Sequence, residues 1–305
     1  MEIDFSRLPE SVEITDVTLR DGLQNENTLI NTQDKIRIIK KIVEAGVNSL
    51  EVTSFVRLDL VPQLADAEEL FKQLPKYAGC NYRALVPNLK GYAKAIKAGC
   101  KTIVLFVSAT EEHNRKNLGR SVKDTLAAYD QVVERAKSNQ VRVIAAISMA
   151  FEKTSEKLED ILDFFRNTGI SHFILCDTSG TANPRLVAER LAFVKQRLNQ
   201  EDIALHFHDT TGCAMANVLV SLAIGFNKFD AAIGGLGGCP FAQGAAGNIS
   251  LEDLVWFLES LNVNTGIDME KLLHVNSILS RLLRRPLQDS KVARYLRGEK
   301  GSCLQ

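Results

Sequence analysis

The stretch Ala45-Gly46-Val47-Asn48-Ser49-Leu50-Glu51-Val52 joins a helical pattern to an apolar run with strand character. A glycine followed within a few residues by such an apolar run returns three more times, at Gly99, Gly169 and Gly225. Glycine suits the left-handed residue just past a helix C-terminus, because it has no Cβ to clash there. Each of the four stretches therefore predicts a helix that turns directly into a strand.

Eight apolar runs of strand length alternate along the chain with helical patterns. Because the runs are apolar on both faces, they are typical of a buried parallel sheet. They predict an α/β fold, a (β/α)8 TIM barrel with additional C-terminal helices. A doubly wound sheet is the alternative, and the lack of G-x-G-x-x-G at any strand-to-helix turn weakens it. The predicted strands cover residues 12–19, 47–55, 82–86, 102–108, 141–148, 172–176, 203–207 and 229–233.

The whole chain, residues 1–305, is predicted to form a single TIM-barrel domain. The barrel would cover about residues 12–261, and a C-terminal helical extension about residues 262–305. Helices are predicted at 251–261 and 270–283, and residues 287–305 are predicted to be a tail. Hydrophobic residues make up 45% of the chain and charged residues 24%, which allows a sizeable core.

Positive and negative side chains balance, with 37 Lys and Arg against 37 Asp and Glu. The chain therefore lacks a broad basic field for nucleic acid or a membrane surface, and a small-molecule substrate is the expected partner. Its six cysteines show no paired spacing, and its first residues resemble neither a signal peptide nor an Arg-rich transit peptide. No stretch approaches the roughly 20 apolar residues of a membrane helix. We expect a soluble, cytoplasmic protein with reduced thiols.

Polar residues at the C-terminal ends of barrel strands are candidates for a site, because the βα loops gather there. His206 and His208 stand at i and i+2 on an extended segment, so both rings project to the same face. Asp21 ends the first strand, and Asn248 follows the eighth. One carboxylate, two imidazoles and one amide oxygen leave two positions on an octahedral ion for substrate or water. This set predicts Mg2+ or Mn2+, with Zn2+ less favoured.

Further polar residues stand near these four in the predicted barrel. Arg20 and Gln24 flank Asp21, Glu51 interrupts the second strand, and Asp177 follows the sixth. Glu51 is the predicted partner of Arg20, whose guanidinium it would hold in place. Each residue has a simpler interpretation, such as a scaffold histidine or a plain ion pair. Their coincidence at one barrel end favours a site, because buried charges are rare unless they are paired or bind a metal.

Glycines are dense from Gly234 to Gly238, just after the eighth strand. This stretch fits two functions: a cradle for a phosphate, or a mobile lid that carries Cys239 over the site. The pattern does not choose between them. The simpler interpretation of Cys239 is a small, inert residue.

Three motifs cover the candidate site: Val17-Thr18-Leu19-Arg20-Asp21-Gly22-Leu23-Gln24-Asn25-Glu26, His206-Phe207-His208-Asp209-Thr210, and Gly235-Leu236-Gly237-Gly238-Cys239-Pro240 with Gly247-Asn248. Together they resemble the 3-hydroxy-3-methylglutaryl-CoA (HMG-CoA) lyase family, which belongs to the metal-dependent lyase and Claisen-type synthase barrels. The similarity runs from about residue 14 to about residue 261. It implies an enzyme of the oxo-acid-lyase type, which cleaves an HMG-CoA-like 3-hydroxyacyl-CoA to acetyl-CoA and a keto product.

The resemblance also implies roles for single residues and a homodimer. Metal ligands are implied at Asp21, His206, His208 and Asn248, and catalytic groups at Arg20 and Cys239. Asp21 or His206 is in addition a candidate base, and Glu51 and Asp177 match positions that shape the site. Candidate contacts to the acyl-CoA substrate are Arg20, Gln24 and His113.

The chain departs from the family pattern in two loops. After the fifth strand it has Ser148-Met149-Ala150-Phe151-Glu152-Lys153 in place of a Cys-Pro-Tyr-Glu-Gly-like run. After the fourth, it has His113 where the typical lyase has an apolar residue, and the simpler interpretation is an exposed loop histidine. These departures leave open a different 3-hydroxyacyl-CoA substrate. A Claisen-type synthase that condenses acetyl-CoA with a keto acid, and a non-catalytic acyl-CoA-binding barrel, are the alternatives.

Overall fold

The computed structural model describes residues 4–57, 61–238, 247–287 and 290–302; for residues 299–302 it describes the backbone alone. Eight parallel strands close into a barrel in the order β1 to β8, which confirms the predicted fold class. The barrel closes because β1 pairs with both β2 and β8. The strands are β1 Glu13–Asp16, β2 Ser49–Ser54, β3 Asn81–Leu85, β4 Thr102–Ser108, β5 Arg142–Ser148, β6 His172–Asp177, β7 Ile203–Phe207 and β8 Lys228–Ala231.

Helices connect the strands and extend the chain beyond β8. No helix in the described ranges is long and apolar enough to cross a membrane. The helices are α1 Thr32–Glu44, α2 Ala67–Lys72, α3 Leu89–Lys97, α4 Glu111–Leu118, α5 Val122–Ser138, α6 Leu158–Asn167, α7 Pro184–Lys195, α8 Ala214–Ile224, α9 Leu251–Ser260, α10 Met269–Leu282 and α11 Lys291–Ser302.

The four glycine joints adopt the predicted left-handed conformation. Gly46, Gly99, Gly169 and Gly225 have φ angles of 104°, 92°, 77° and 102°. At Gly46 a second constraint applies, because a Cβ would lie 2.2 Å from the carbonyl oxygen of Gly266. The four glycines therefore end helices just before strands, as the sequence predicted.

The barrel interior is divided into an apolar and a polar half. Val104, Ile144, Ala146 and Ile174, from β4 to β6, form an apolar cluster separate from the main core. The polar half comes from β2, β3 and β8, whose buried charged residues are Glu51, Arg83 and Asp230. Charged groups thus collect on the side of the barrel where its first and last strands meet.

Strands β1 and β8 end three and two residues earlier than predicted, because the apolar pattern continues into the turns that follow them. β1 ends at Asp16, and Thr18–Gly22 forms a π-helical turn in which three successive amides donate to the carbonyl of Val17. β8 ends at Ala231 and is followed by a 3-10 turn at Ile233–Gly235. Both turns lie at the barrel mouth, where they position side chains of the candidate site.

The predicted tail after residue 287 is wrong, because it contains helix α11. The carboxylate of Asp253 on α9 holds the first turn of this helix. Its Oδ1 accepts from Ser290 Oγ at 2.8 Å and from the Val292 amide at 2.9 Å, and its Oδ2 accepts from the Lys291 amide at 3.0 Å. The helix forms because a side chain of another element caps it, and this is not visible in the local pattern.

Replacing Asp253 by alanine should lower the free energy of unfolding by about 2 kcal/mol, because the buried Ser290 hydroxyl and two amides of the first helical turn lose their acceptor. Chemical denaturation of the two proteins measures the difference. Ser290→Ala removes one of these three bonds, together with the bond from the Ala293 amide to Ser290 Oγ, and should cost less. Equal stability of Asp253→Ala and the parent protein would contradict this role.

Candidate metal and catalytic site

Three side chains, one from the turn after β1 and two from the end of β7 and the residue just after it, meet at the barrel mouth with their ligand atoms facing one another. His206 Nε2 and His208 Nε2 lie 3.1 Å apart. Asp21 Oδ2 lies 3.6 Å from His208 Nε2 and 3.9 Å from His206 Nε2. All three residues are buried, and in the described part of the chain they form a group that could hold a metal ion.

Asn248 joins this group from the segment after β8. A β-bridge pairs Asn248 with His208, and the Asn248 Nδ2 donates to Asp21 Oδ2 at 2.7 Å. Its Oδ1 is buried and accepts no hydrogen bond from any described residue. A buried oxygen without a donor costs free energy unless a cation or water satisfies it, so Asn248 fits the predicted fourth ligand.

The surroundings of the three side chains favour forms that suit a metal. His206 Nδ1 faces Asp230 Oδ2 at 3.3 Å, and this contact favours the tautomer that leaves Nε2 free to bind a metal. Burial lowers the pKa of His208, so its imidazole is held neutral. Burial would raise the pKa of Asp21, but the charge of Arg20 holds it well below its usual range. An anionic carboxylate and a neutral imidazole are the forms in which aspartate and histidine bind divalent cations.

Arg20 stands beside the ligands, between two carboxylates. Its Nη1 donates to Asp21 Oδ1, and its Nε donates to Glu51 Oε1. The predicted pairing of Arg20 with Glu51 is therefore present in the structure. The Arg20 side chain is 14% exposed, while Glu51 is 1% exposed. The guanidinium thus reaches the mouth, and its partner is buried below it.

The sequence analysis missed two members of this network, Arg83 and Asp230. Arg83 Nε donates to Glu51 Oε2 at 2.7 Å, and its Nη2 donates to Asp230 Oδ2 at 2.7 Å. Asp230 also faces His206. A continuous line of polar contacts therefore joins two candidate ligands: it starts at Asp21 and ends at His206, by way of Arg20, Glu51, Arg83 and Asp230. Both missed residues interrupt apolar strands, which is the same signal that singled out Glu51.

Gln24 lies next to Asp21, as its position predicted. Its Nε2 donates to Asp21 Oδ1 at 2.9 Å and lies 3.4 Å from the carbonyl of Gly238. The neighbouring Asn25, which the sequence analysis did not single out, donates to the same carbonyl. The segment after β1 therefore holds Gly238, the last residue of the glycine stretch. Contact of Gln24 with a substrate stays a prediction.

Gly237 is packed directly against two of the ligands. Its φ angle is 121°, and a Cβ built on it would lie 2.3 Å from Asn248 Nδ2 and 3.1 Å from Asp21 Oδ2. Only glycine fits here, because both the backbone conformation and the space exclude a side chain. Cys239, the predicted catalytic cysteine, lies outside the described residues.

Asp177 organises the loop that follows β6. Its carboxylate accepts from the Ala182 amide and from Ser179 Oγ. Burial and the charge of Glu152 raise its pKa to about 6. The loop packs against β7 at Gly180, where a Cβ would lie 2.9 Å from the Cβ of His208. Asp177 therefore supports a ligand through its loop, and its direct part in catalysis stays a prediction.

The structure corrects the simpler interpretation of His113. This residue is 5% exposed on helix α4, so an exposed loop histidine is wrong. The helix was not predicted, because its polar sequence has no apolar stripe to mark it. Burial, followed by the charge of Lys116, lowers the pKa of His113. Its contact with a substrate stays a prediction.

The fold and the site define a class of protein: a TIM barrel with a buried acid, imidazole and amide group suited to a divalent cation, at the end of the barrel where enzymes of this fold carry their chemistry. The HMGL-like family model matches residues 11–279. The human protein named hydroxymethylglutaryl-CoA lyase, mitochondrial, is 38% identical over 292 residues, which cover 94% of this chain and 90% of the human one.

Solved structures agree with this match. The crystal structure of hydroxymethylglutaryl-CoA lyase from Pseudomonas aeruginosa has a TM-score of 0.91 and 35% identity, and the match covers 96% of this chain and 99% of that one. An HMG-CoA lyase from Acinetobacter baumannii, in complex with coenzyme A and 3-methylmalate, has a TM-score of 0.90 and 33% identity over 93% and 95% of the two chains. The chain belongs to the HMGL-like family, a family of lyases, and is an enzyme.

Proposed function

We propose that this enzyme is a divalent-metal-dependent carbon–carbon lyase that cleaves HMG-CoA, or a closely similar 3-hydroxyacyl-CoA, to acetyl-CoA and a keto product. One observation carries the proposal: Arg20 lies against the same group of side chains that could hold a cation. A cation site and a fixed positive charge at one mouth suit a reaction in which two oxygens of one substrate gain negative charge. The names of the relatives support HMG-CoA as the first substrate to test.

A bound dication would supply Lewis-acid polarisation of the substrate's hydroxyl and carboxylate oxygens. The chain's own residues would carry the remaining steps. Asp21 or His206 would accept the hydroxyl proton as the carbon–carbon bond breaks. The electron pair of that bond passes to the acetyl-CoA fragment as an enolate, whose thioester oxygen Arg20 would stabilise. Glu51 would keep the guanidinium in place for this purpose.

The enolate carbon needs a proton to become the methyl group of acetyl-CoA, and we assign that proton to the thiol of Cys239. Cys239→Ser should lower kcat by about 100-fold, because general acid catalysis contributes that much or more. The Kd for Mn2+ should stay unchanged. Steady-state kinetics and calorimetric titration measure the two effects. Cys213→Ser, at a half-buried thiol before α8, is the matched control, and unchanged turnover of Cys239→Ser would remove the thiol from the mechanism.

The metal we propose is Mg2+ or Mn2+, with Zn2+ less favoured. Two oxygens and two nitrogens, with two positions left for substrate or water, make an octahedral set. A closed Zn2+ site would use more nitrogen or sulfur ligands in a tetrahedral arrangement. The buried Asn248 Oδ1, which accepts no hydrogen bond from a described residue, supports a set with two oxygen ligands.

The function is tested by stripping the protein with a chelator and measuring acetyl-CoA release from a panel of 3-hydroxyacyl-CoA compounds. We expect release from HMG-CoA or a near homologue, restored by Mg2+ or Mn2+. No release from any compound with either metal would contradict the proposal. Consumption of acetyl-CoA together with a keto acid would indicate the Claisen-type synthase instead.

The proposal extends to assembly and location. We propose a homodimer of single-domain subunits in the cytoplasm, with acyl-CoA as the small-molecule partner. The free thiols of Cys80, Cys100, Cys176 and Cys213 support a reducing compartment. Light scattering of the purified protein would test the dimer.

A further inference from the structure

The C-terminal helices are connected to the glycine stretch by a line of hydrogen bonds that is buried except at its outer end. Glu252 on α9 accepts from the Gly234 amide at 2.8 Å and from Ser250 Oγ at 2.9 Å, both through Oε2. Asn276 Nδ2 on α10 donates to Glu252 Oε1 at 2.5 Å. Arg297 Nη2 on α11 donates to Asn276 Oδ1. Glu252 and Asn276 are fully buried, so these bonds are shielded from water.

Gly234, whose amide Glu252 holds, has little room to move. Its φ angle is 64°, and a Cβ on it would lie 2.6 Å from the Cβ of Leu287. The residue is thus held between the Glu252 carboxylate and a side chain of the C-terminal segment. A backbone amide donating to a buried carboxylate makes a strong, charge-assisted bond.

Leu236, two residues after Gly234, contacts the candidate metal ligand Asn248. The carbonyl of Leu236 accepts from Asn248 Nδ2 at 2.9 Å, and this bond orients the amide whose Oδ1 is left without a donor. A shift of Gly234 would move the Leu236 carbonyl and turn the Asn248 side chain. Gly237, packed against Asn248 and Asp21, would move with it.

We propose that Glu252, Asn276 and Arg297 are positioning residues that hold the Gly234 amide and thereby orient Asn248 for metal binding. The inference rests on the metal site proposed above and assigns it a support from three C-terminal helices. Arg297 ends the line with a charged donor, because its guanidinium donates to the Asn276 side chain that in turn donates to Glu252. The segment that sequence alone presented as a tail is thus part of the metal site's support.

Arg297→Met tests the line, because it removes the guanidinium and keeps the apolar stem of a side chain on the outer helix. We expect the Kd for Mn2+, measured by calorimetry well below the unfolding temperature, to rise by about tenfold, the lower end of what partners of metal ligands contribute. Arg297→Lys should recover part of the loss. Arg294→Met is the matched control, at another exposed arginine one turn earlier on α11, and should leave the Kd unchanged.

The outcomes separate this inference from the proposed function. If Arg297→Met lowers the unfolding temperature but leaves the Kd for Mn2+ unchanged, the line is only structural and the inference is overturned, while the lyase proposal stands. If the parent protein binds no Mn2+ and no Mg2+, the metal site itself is wrong and both proposals fall. A change of equal size in Arg294→Met would show that the effect belongs to the helix surface and not to the line.

Discussion

Arg20→Gln is expected to lower kcat/KM for the cleaved acyl-CoA by about 1000-fold, the largest effect we predict for a single charge. Arg20 is the cation that reaches the mouth beside the candidate ligands, and glutamine cannot supply a fixed positive charge to an enolate. The fold should survive, because Glu51 keeps its hydrogen bond to Arg83. Steady-state kinetics measure the loss, and circular dichroism checks the fold.

The Kd for Mn2+ is a second measurement on Arg20→Gln, and the substitution is not expected to raise it. Arg20 donates to Asp21, so its positive charge lies close to any cation held there. Removing that charge should leave the Kd for Mn2+ unchanged or lower it. Arg20→Lys should recover little activity, because an ammonium cannot bridge both carboxylates in the geometry of a guanidinium. Activity within tenfold of the parent would place the charge outside the reaction.

Gly237→Ala is expected to weaken metal binding by about 100-fold or more, since it disturbs two ligands at once. The new Cβ would lie 2.3 Å from Asn248 Nδ2, closer than any real contact, and the φ angle of 121° disfavours a side chain in any case. Either the glycine stretch or the two ligands must move. Calorimetric titration with Mn2+ measures the affinity, and acetyl-CoA release at saturating metal measures the remaining activity.

A control for Gly237→Ala must separate steric displacement from backbone strain. Gly119, which ends α4, has a φ angle of 69° and open space where a Cβ would stand. Gly119→Ala should cost some stability through its φ angle, yet leave the Kd for Mn2+ unchanged. Equal metal affinity of Gly237→Ala and the parent would contradict the close packing of Gly237 against Asn248 and Asp21.

Much of the site could be predicted because its signals are local. His206 and His208 alternate with apolar residues on one strand, and strand geometry alone turns both rings to one face. Asp21 and Asn248 follow predicted strands, so the barrel topology brings them to the same mouth. The pairing of Arg20 with Glu51 could be inferred because a lone charge inside an apolar strand needs a partner.

The sequence by itself determined the barrel, because glycine joints and apolar runs are properties of a few neighbouring residues. The tertiary structure alone decided which distant charges pair, such as Arg83 with Asp230, which are 147 residues apart. It also decided that residues after 287 form α11, which Asp253 caps, and that Glu252 holds the Gly234 amide. Such contacts depend on where the closed barrel places each element, and a hydrogen bond between elements leaves no periodic pattern in either segment.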